Sequence, residues 1–239
     1  MHVKASILAL ALVLTGGSYE PPGPAVEQAV AAPVDAARVT VEDAGSGDKR
    51  VLSYEDVNTE QNSHFELTEG FSQDVVEKSV AENFESGAPE EATTAFDLRA
   101  EVSEATDDPE QTPATRNAFM TLSSPTYSGT DALNVESGDG FQFGWRADDA
   151  GQVSSLRLAA PQSANDDARS ILEQAIVELT SMPIVFPEEE IGEGAVWTLD
   201  SRTSGESTLL QTTTYSLEEL TDTGAELSVR SEEHTSELQ

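Results

Sequence analysis

The sequence predicts a mainly β fold with one packed helix, built on a curved, half-barrel-like antiparallel sheet. Apolar and polar residues alternate over short runs from residue 38 onward, and turn-forming residues separate these runs. A single long segment has helical periodicity instead. Because an alternating strand has one apolar face and one polar face, the helix is expected to cover the apolar face of the sheet.

The first predicted strands are short. We expect strands at 38–42, 51–57 and 64–67, with the Gly-Ser-Gly-Asp sequence at 45–48 as the turn between the first two. Residues 71–84 partly fit a helix, but a preceding glycine and a following Gly-Ala-Pro break fit a long strand and hairpin equally well. We favour the strand for this region.

The middle of the chain contains the clearest hairpin. Strands are predicted at 94–102 and 119–122, and a turn-rich passage follows. Two phenylalanines and Trp145 then alternate on one strand face, and residues 148–151 form a turn into a return strand that ends at residue 158. Gly151 is expected to adopt the positive φ that such a turn requires.

One helix is predicted at 165–181. Ser163 or Asn165 can cap its N-terminus, and Pro183 follows its end. Its polar face is acidic rather than basic, which favours a buried core helix over a membrane-surface helix. The apolar stripe consists of Ala168, Ile171, Leu172, Ala175, Ile176, Leu179 and Met182.

A three-strand meander is predicted to end the fold. A strand begins at 196–199, a Thr-Ser-Gly-Glu turn at 203–206 leads into a strand at 208–217, and a turn at 221–224 leads into a last strand at 225–229. We expect this last part of the sheet to be truncated, because the sequence changes character after Val229.

Both ends of the chain have sequences that are not expected to belong to the folded domain. Lys4, a mainly apolar run of ten residues at 5–14 and the small residues that follow it predict a signal peptide at 1–17, since a membrane-spanning helix needs about 20 apolar residues. The Pro- and Ala-rich residues 18–37 are predicted to be a disordered tether, and 38–229 a single β-rich domain. Residues 230–239 resemble a translated sequencing adapter, so we expect an artefactual, frayed tail.

Composition restricts the possible partners. The formal net charge is −33, with 45 acidic and 12 basic residues, so nucleic-acid binding is not expected. The chain has no cysteine, which excludes disulfides, thiol nucleophiles and cysteine-ligated metals. The few lysines and the acidic excess are typical of a surface adapted to salty or cation-rich surroundings.

The segment Leu179–Trp197 resembles a family of actinobacterial envelope lipoproteins of unknown activity. Its recurring pattern is a proline, a Val or Ile, and then Gly-x-Gly-Ala-x-Trp, which Pro187, Ile191, Gly192, Gly194, Ala195 and Trp197 match. The resemblance implies an exported, usually lipid-anchored β-rich domain and assigns no catalytic residue. Gly17 stands where members carry the lipidated cysteine, so that anchor could not form. The implied location is secreted or in the extracytoplasmic cell envelope.

No catalytic, cofactor or metal site is predicted. The three histidines are His2 in the signal, His234 in the tail and a lone His64. The acidic runs at 107–110, 148–149 and 188–190 lack the spacing of a calcium loop.

We therefore predict a non-enzymatic binding or structural domain that contacts an apolar small molecule or an envelope protein. The alternative is a carrier of an apolar or lipid ligand in a cavity between sheet and helix, by analogy with lipid-carrier folds. Trp145 and Trp197 are the candidate cavity residues, although simple core packing is favoured for both.

Overall fold

The structure is a computed structural model that describes residues 24–71, 88–106, 112–129, 133–181, 183–204, 208–221 and 224–234. The predicted signal peptide, the ambiguous residues 72–84 and the acidic run at 107–110 lie outside these ranges. The described strands are β1 (Val30–Pro33), β2 (Arg38–Asp43), β3 (Ser46–Arg50), β4 (Thr59–Phe71), β5 (Glu90–Glu104), β6 (Arg116–Ser128), β7 (Gln142–Ala147), β8 (Val153–Ala159), β9 (Ile191–Glu193), β10 (Val196–Ser204), β11 (Thr208–Leu220) and β12 (Ala225–His234). The helix α1 spans Asp166–Thr180.

The strands form three antiparallel sheets. Six strands are ordered β1-β8-β7-β6-β5-β4, four are ordered β12-β11-β10-β2, and β3 pairs with β9. None of these sheets closes into a barrel. The predicted fold class is therefore confirmed as mainly β, with one helix in the described residues and open antiparallel sheets. Within those residues, no helix has the length and apolar character needed to cross a membrane.

Helix α1 covers one face of the six-stranded sheet. The N-cap prediction is confirmed at Asn165, whose side chain accepts a hydrogen bond of 2.8 Å from the Ala168 amide. The carbonyl of residue 165 also begins the helical ladder. The first hydrophobic cluster fills the space between helix and sheet, and its members include Phe96, Leu122, Phe141, Phe143, Leu172, Ala175 and Ile176.

The four-stranded sheet supports a second hydrophobic cluster. Trp197 on β10 is fully buried and stacks against Tyr215 on β11 at a centroid distance of 5.4 Å. These two residues are direct cross-strand partners. The remaining buried members are Leu52, Val185, Ile191, Ala195, Leu199, Leu217 and Leu227.

Three aromatic side chains donate hydrogen bonds to the backbone of the segment between α1 and β9. The Tyr215 hydroxyl donates to the Pro183 carbonyl at 2.6 Å, and Trp197 Nε1 donates to the Val185 carbonyl at 2.9 Å. The Tyr54 hydroxyl donates to the intervening Ile184 carbonyl at 3.0 Å. Three successive backbone acceptors, which have no strand partner here, are thus satisfied by side chains.

The chain at 51–58 links the two clusters. Leu52 belongs to the second cluster, whereas Asp56 receives a two-point ion pair from Arg116 of β6 in the other sheet. The Arg116 guanidinium also lies over the Tyr54 ring, 4.0 Å from its centroid. The prediction of a strand at 51–57 is wrong, because these residues contact separate elements individually instead of joining one ladder.

Three further predictions fail in the described residues. The turn predicted at 45–48 is largely occupied by β3, which spans Ser46–Arg50. Residues 24–37, expected to be a disordered tether, include β1, which pairs with β8, and Glu27, which pairs with Arg169. Residues 230–234, expected to be frayed, continue β12 alongside β11. In each case backbone pairing with a distant strand outweighs weak local propensity.

The two motif glycines have distinct structural roles. Gly194 has a φ of +79°, which favours glycine at the turn before β10. Gly192 lies against β3, where an added Cβ would be 2.3 Å from the Ser46 carbonyl oxygen. The turn therefore positions Trp197 at the start of β10.

Candidate functional site

The outer face of the six-stranded sheet, opposite α1, has a cleft on the β7–β8 hairpin. Trp145 packs against the helix-side cluster, so strand alternation places its neighbours Gly144 and Arg146 on the outer face. Gly144 is the direct cross-strand partner of Arg157 on β8. Gly144 is closely packed against β6, because an added Cβ would lie 2.3 Å from the Ala118 carbonyl oxygen. A Cβ there would lie 3.3 Å from Arg157 Nε.

The two arginines are held in different ways. Arg146 donates from Nη2 to the Thr106 carbonyl at 3.0 Å. The Arg157 guanidinium lies over the ring of Phe119 on β6, 5.0 Å from its centroid, which is a cation–π distance. Both side chains are half-buried. Each guanidinium therefore contacts a neutral group, which is the Thr106 carbonyl for Arg146 and the Phe119 ring for Arg157.

Both arginines contain an unsatisfied donor. The Nε atoms of Arg146 and Arg157 are shielded from solvent and have no hydrogen-bond acceptor among the described residues. Such a group normally costs stability, and a donor on a charged group costs more. Neither guanidinium forms an ion pair within the described ranges, whereas Arg99, Arg116 and Arg169 each pair with a carboxylate.

The cleft has a volume of about 440 Å³ and is partly open to solvent. Strand β1 contributes Ala31 to one wall, and the end of β5 contributes Glu104 at the other side. Neutral polar residues also line the cleft, and these are Ser103, Thr106, Asn117 and Ser155. The charged lining residues are thus two arginines and one glutamate.

This arrangement suits a small anion. Guanidinium groups bind carboxylate and phosphate oxygens through paired N–H donors, and these charge-assisted bonds are stronger than neutral ones. The serine and asparagine side chains supply further donors.

The two tryptophans suggested by the sequence are not brought together. Trp197 is buried in the second cluster, and Trp145 packs against the first. Trp145 borders the outer cleft, but its side chain belongs to the helix-side face. Large buried residues, including Phe141, Phe143 and Leu172, fill the space between sheet and helix where a carrier cavity was considered.

A second cleft of about 350 Å³ lies between β2, the 148–152 turn and the segment after α1. It brings Asp148 near Glu188 and Glu189, two acidic runs that are distant in sequence. Asp148 instead caps its own turn, accepting from the Gln152 amide at 2.8 Å. In the described parts of the chain, no three His, Asp or Glu residues form a group suited to a metal.

The remaining histidine of interest, His64, lies on the edge strand β4. Its Nδ1 is 2.7 Å from Asp97 Oδ1, and its Nε2 is 3.8 Å from Glu66. The hydrogen bond to Asp97, with the nearby negative charges, raises the pKa of His64. The side chain is exposed and lies in neither cleft, which fits a surface strand residue.

Comparisons with known proteins give no assignment. No protein-family model matches the chain, and neither curated proteins nor solved structures provide a match. The resemblance to envelope lipoproteins therefore remains a prediction, and the candidate site depends on its geometry alone.

Sequence reasoning missed the arginine pair, although a signal was present. Phe143 and Trp145 were assigned to one face of β7, which leaves Arg146 on the opposite face. The return strand places Arg157 between two leucines, so its side chain shares that outer face. Two arginines on the polar side of one hairpin are unusual in a chain with 45 acidic and 12 basic residues.

Proposed function

We propose that this protein is a non-enzymatic binding domain, exported to the cell envelope, whose ligand site is the arginine-lined outer cleft. The observation that carries the proposal is the pair Arg146 and Arg157, with unsatisfied donors and no carboxylate partner among the described residues. Export is supported by the signal-like residues 1–17. The resemblance to envelope lipoproteins is consistent with the same location.

The charge distribution supports a binding role. Three other described arginines, Arg99, Arg116 and Arg169, are neutralised by carboxylates, and the Arg169–Glu27 pair has a distance of 2.6 Å. An acidic surface with one cationic cleft repels anions at long range and binds them only where guanidinium groups are close. Such a site favours a small ligand over a polyanion.

The apolar-carrier alternative is less favoured. It requires a cavity between sheet and helix, whereas Phe141, Leu122 and Leu172 are almost completely buried there. The two described clefts lie elsewhere, on the outer face and beside β2. The structure therefore offers the carrier hypothesis no specific support.

The proposal is tested with mature protein beginning at residue 18, extracted from its native envelope. Native mass spectrometry is expected to detect a small anionic adduct that is lost in both Arg146→Gln and Arg157→Gln. Arg99→Gln is the matched control, because Arg99 lies on the same sheet but pairs with Glu60 and Glu101. An adduct retained in both cleft variants, or a mature protein found only in the cytoplasm, would contradict the proposal.

A further inference from the structure

We infer that the outer cleft recognises a single carboxylate group on a small molecule, held between Arg146 and Arg157. This inference rests on the proposed binding function and names the chemical class of its ligand. Guanidinium geometry alone permits either a carboxylate or a phosphate, since both accept paired N–H bonds. The choice depends on charge and on the neighbouring groups.

The charge of the cleft favours a monoanion. Its charged lining residues are Arg146, Arg157 and Glu104, which give a local excess of one positive charge. A monoanion neutralises that excess, whereas a sulfate or phosphate dianion leaves uncompensated negative charge beside Glu104. The whole chain carries a net charge of −33, and its field opposes a dianion twice as strongly as a monoanion.

The neighbouring groups suit one carboxylate with a short apolar or neutral substituent. Phe119 lies beneath Arg157 at 5.0 Å, and Ala31 borders the same space. Ser103 and Asn117 are adjacent on the outer face and approach each other at 3.4 Å. These groups can donate to one bound oxygen, but they supply no further positive charge for a second anionic group.

The unsatisfied Nε atoms provide a direct spectroscopic readout. Each arginine Nε–H gives its own resonance in a ¹H–¹⁵N spectrum, and a carboxylate oxygen accepting from it shifts that resonance. Because both Nε atoms are shielded from solvent, a ligand in the cleft reaches them by contact with the rest of the guanidinium or by a side-chain shift, and either change alters the Nε resonance. General ionic-strength effects would instead act on all the arginines alike.

The test titrates the full mature chain with sodium acetate, sodium sulfate and acetamide at equal ionic strength. Acetate is expected to shift the Nε resonances of Arg146 and Arg157 saturably, with an affinity at least tenfold higher than that of sulfate. Acetamide, the neutral analogue, is expected to cause no saturable shift. Acetate affinity should fall at least tenfold in Arg157→Gln and remain within twofold of wild type in Arg99→Gln.

The results of these titrations distinguish the carboxylate inference from the proposed binding function. Equal or tighter sulfate binding at the same resonances overturns the carboxylate inference and leaves the binding function standing. No saturable response to any anion overturns both. Asp107→Asn and Asp108→Asn provide a further check, because these residues directly follow Thr106 in the sequence. If either substitution shifts the two Nε resonances in the direction opposite to acetate, the substitution has removed the chain's own carboxylate from the cleft and the inference fails.

Discussion

Truncation of Trp197 is expected to destabilise the protein strongly. The side chain is fully buried, stacks on Tyr215 at 5.4 Å and lies 6.3 Å from Phe186. Removing a buried tryptophan costs about 3–5 kcal/mol through lost transfer energy and the cavity left behind. The Val185 carbonyl also loses its donor at 2.9 Å, which places the expected loss near the upper end of that range.

The loss is measured by urea unfolding of Trp197→Ala, followed by far-UV circular dichroism and by the fluorescence of Trp145. Trp197→Phe keeps much of the apolar volume but removes the indole N–H, so it should lose about 1–3 kcal/mol. Trp145→Phe is the control in the other cluster. A Trp197→Ala variant within about 1 kcal/mol of wild type, below the range for buried aromatics, would refute the assigned packing.

The same experiment tests the prediction of one domain. Trp145 belongs to the first cluster and Trp197 to the second. If 38–229 unfolds cooperatively, Trp145 fluorescence in Trp197→Ala moves to the same lower midpoint as the circular dichroism. A Trp145 transition that keeps its wild-type midpoint would instead indicate two independently stable units.

Three further predictions concern single contacts. Asp56→Ala leaves the buried Arg116 guanidinium unpaired and should reduce stability by about 3–5 kcal/mol in urea unfolding; a loss below about 1 kcal/mol would contradict a buried pair. Asn165→Ala should cost about 1 kcal/mol and lower thermal stability, whereas an unchanged melting temperature would argue against this cap. His64 should titrate above its ordinary pKa, and Asp97→Asn should lower that pKa in an NMR titration. Because the folded pKa is raised, this contact stabilises the fold below about pH 6.5 and is lost as pH rises through the folded pKa.

Periodicity predicted the regular elements of this fold well. Helix α1 spans Asp166–Thr180 against a prediction of 165–181, and Gly151 has the expected positive φ of +95°. The meander of β10, β11 and β12 also follows the predicted order. These elements have local signals, namely an apolar stripe, a cap and turn-forming residues, that do not depend on distant partners.

Pairing between strands that are distant in sequence explains the structural features that local sequence patterns did not predict. Residues 30–33 have little local preference for a strand, yet they pair with β8 more than 100 positions away. The segment 51–58 alternates like a strand but contacts two sheets through individual side chains. The arginine cleft depends on the register that places Gly144 opposite Arg157, and register is a tertiary property.

The position of β1 also affects how the protein should be produced. The composition of the chain suggests that a minimal domain could begin at residue 38. Such a truncation would delete β1 and expose the backbone donors and acceptors along the edge of β8. It would also remove Ala31 from the cleft wall and release Arg169 from Glu27. A shortened protein would therefore be prone to edge-to-edge association and would have an incomplete outer cleft, even though the buried members of both hydrophobic clusters were retained.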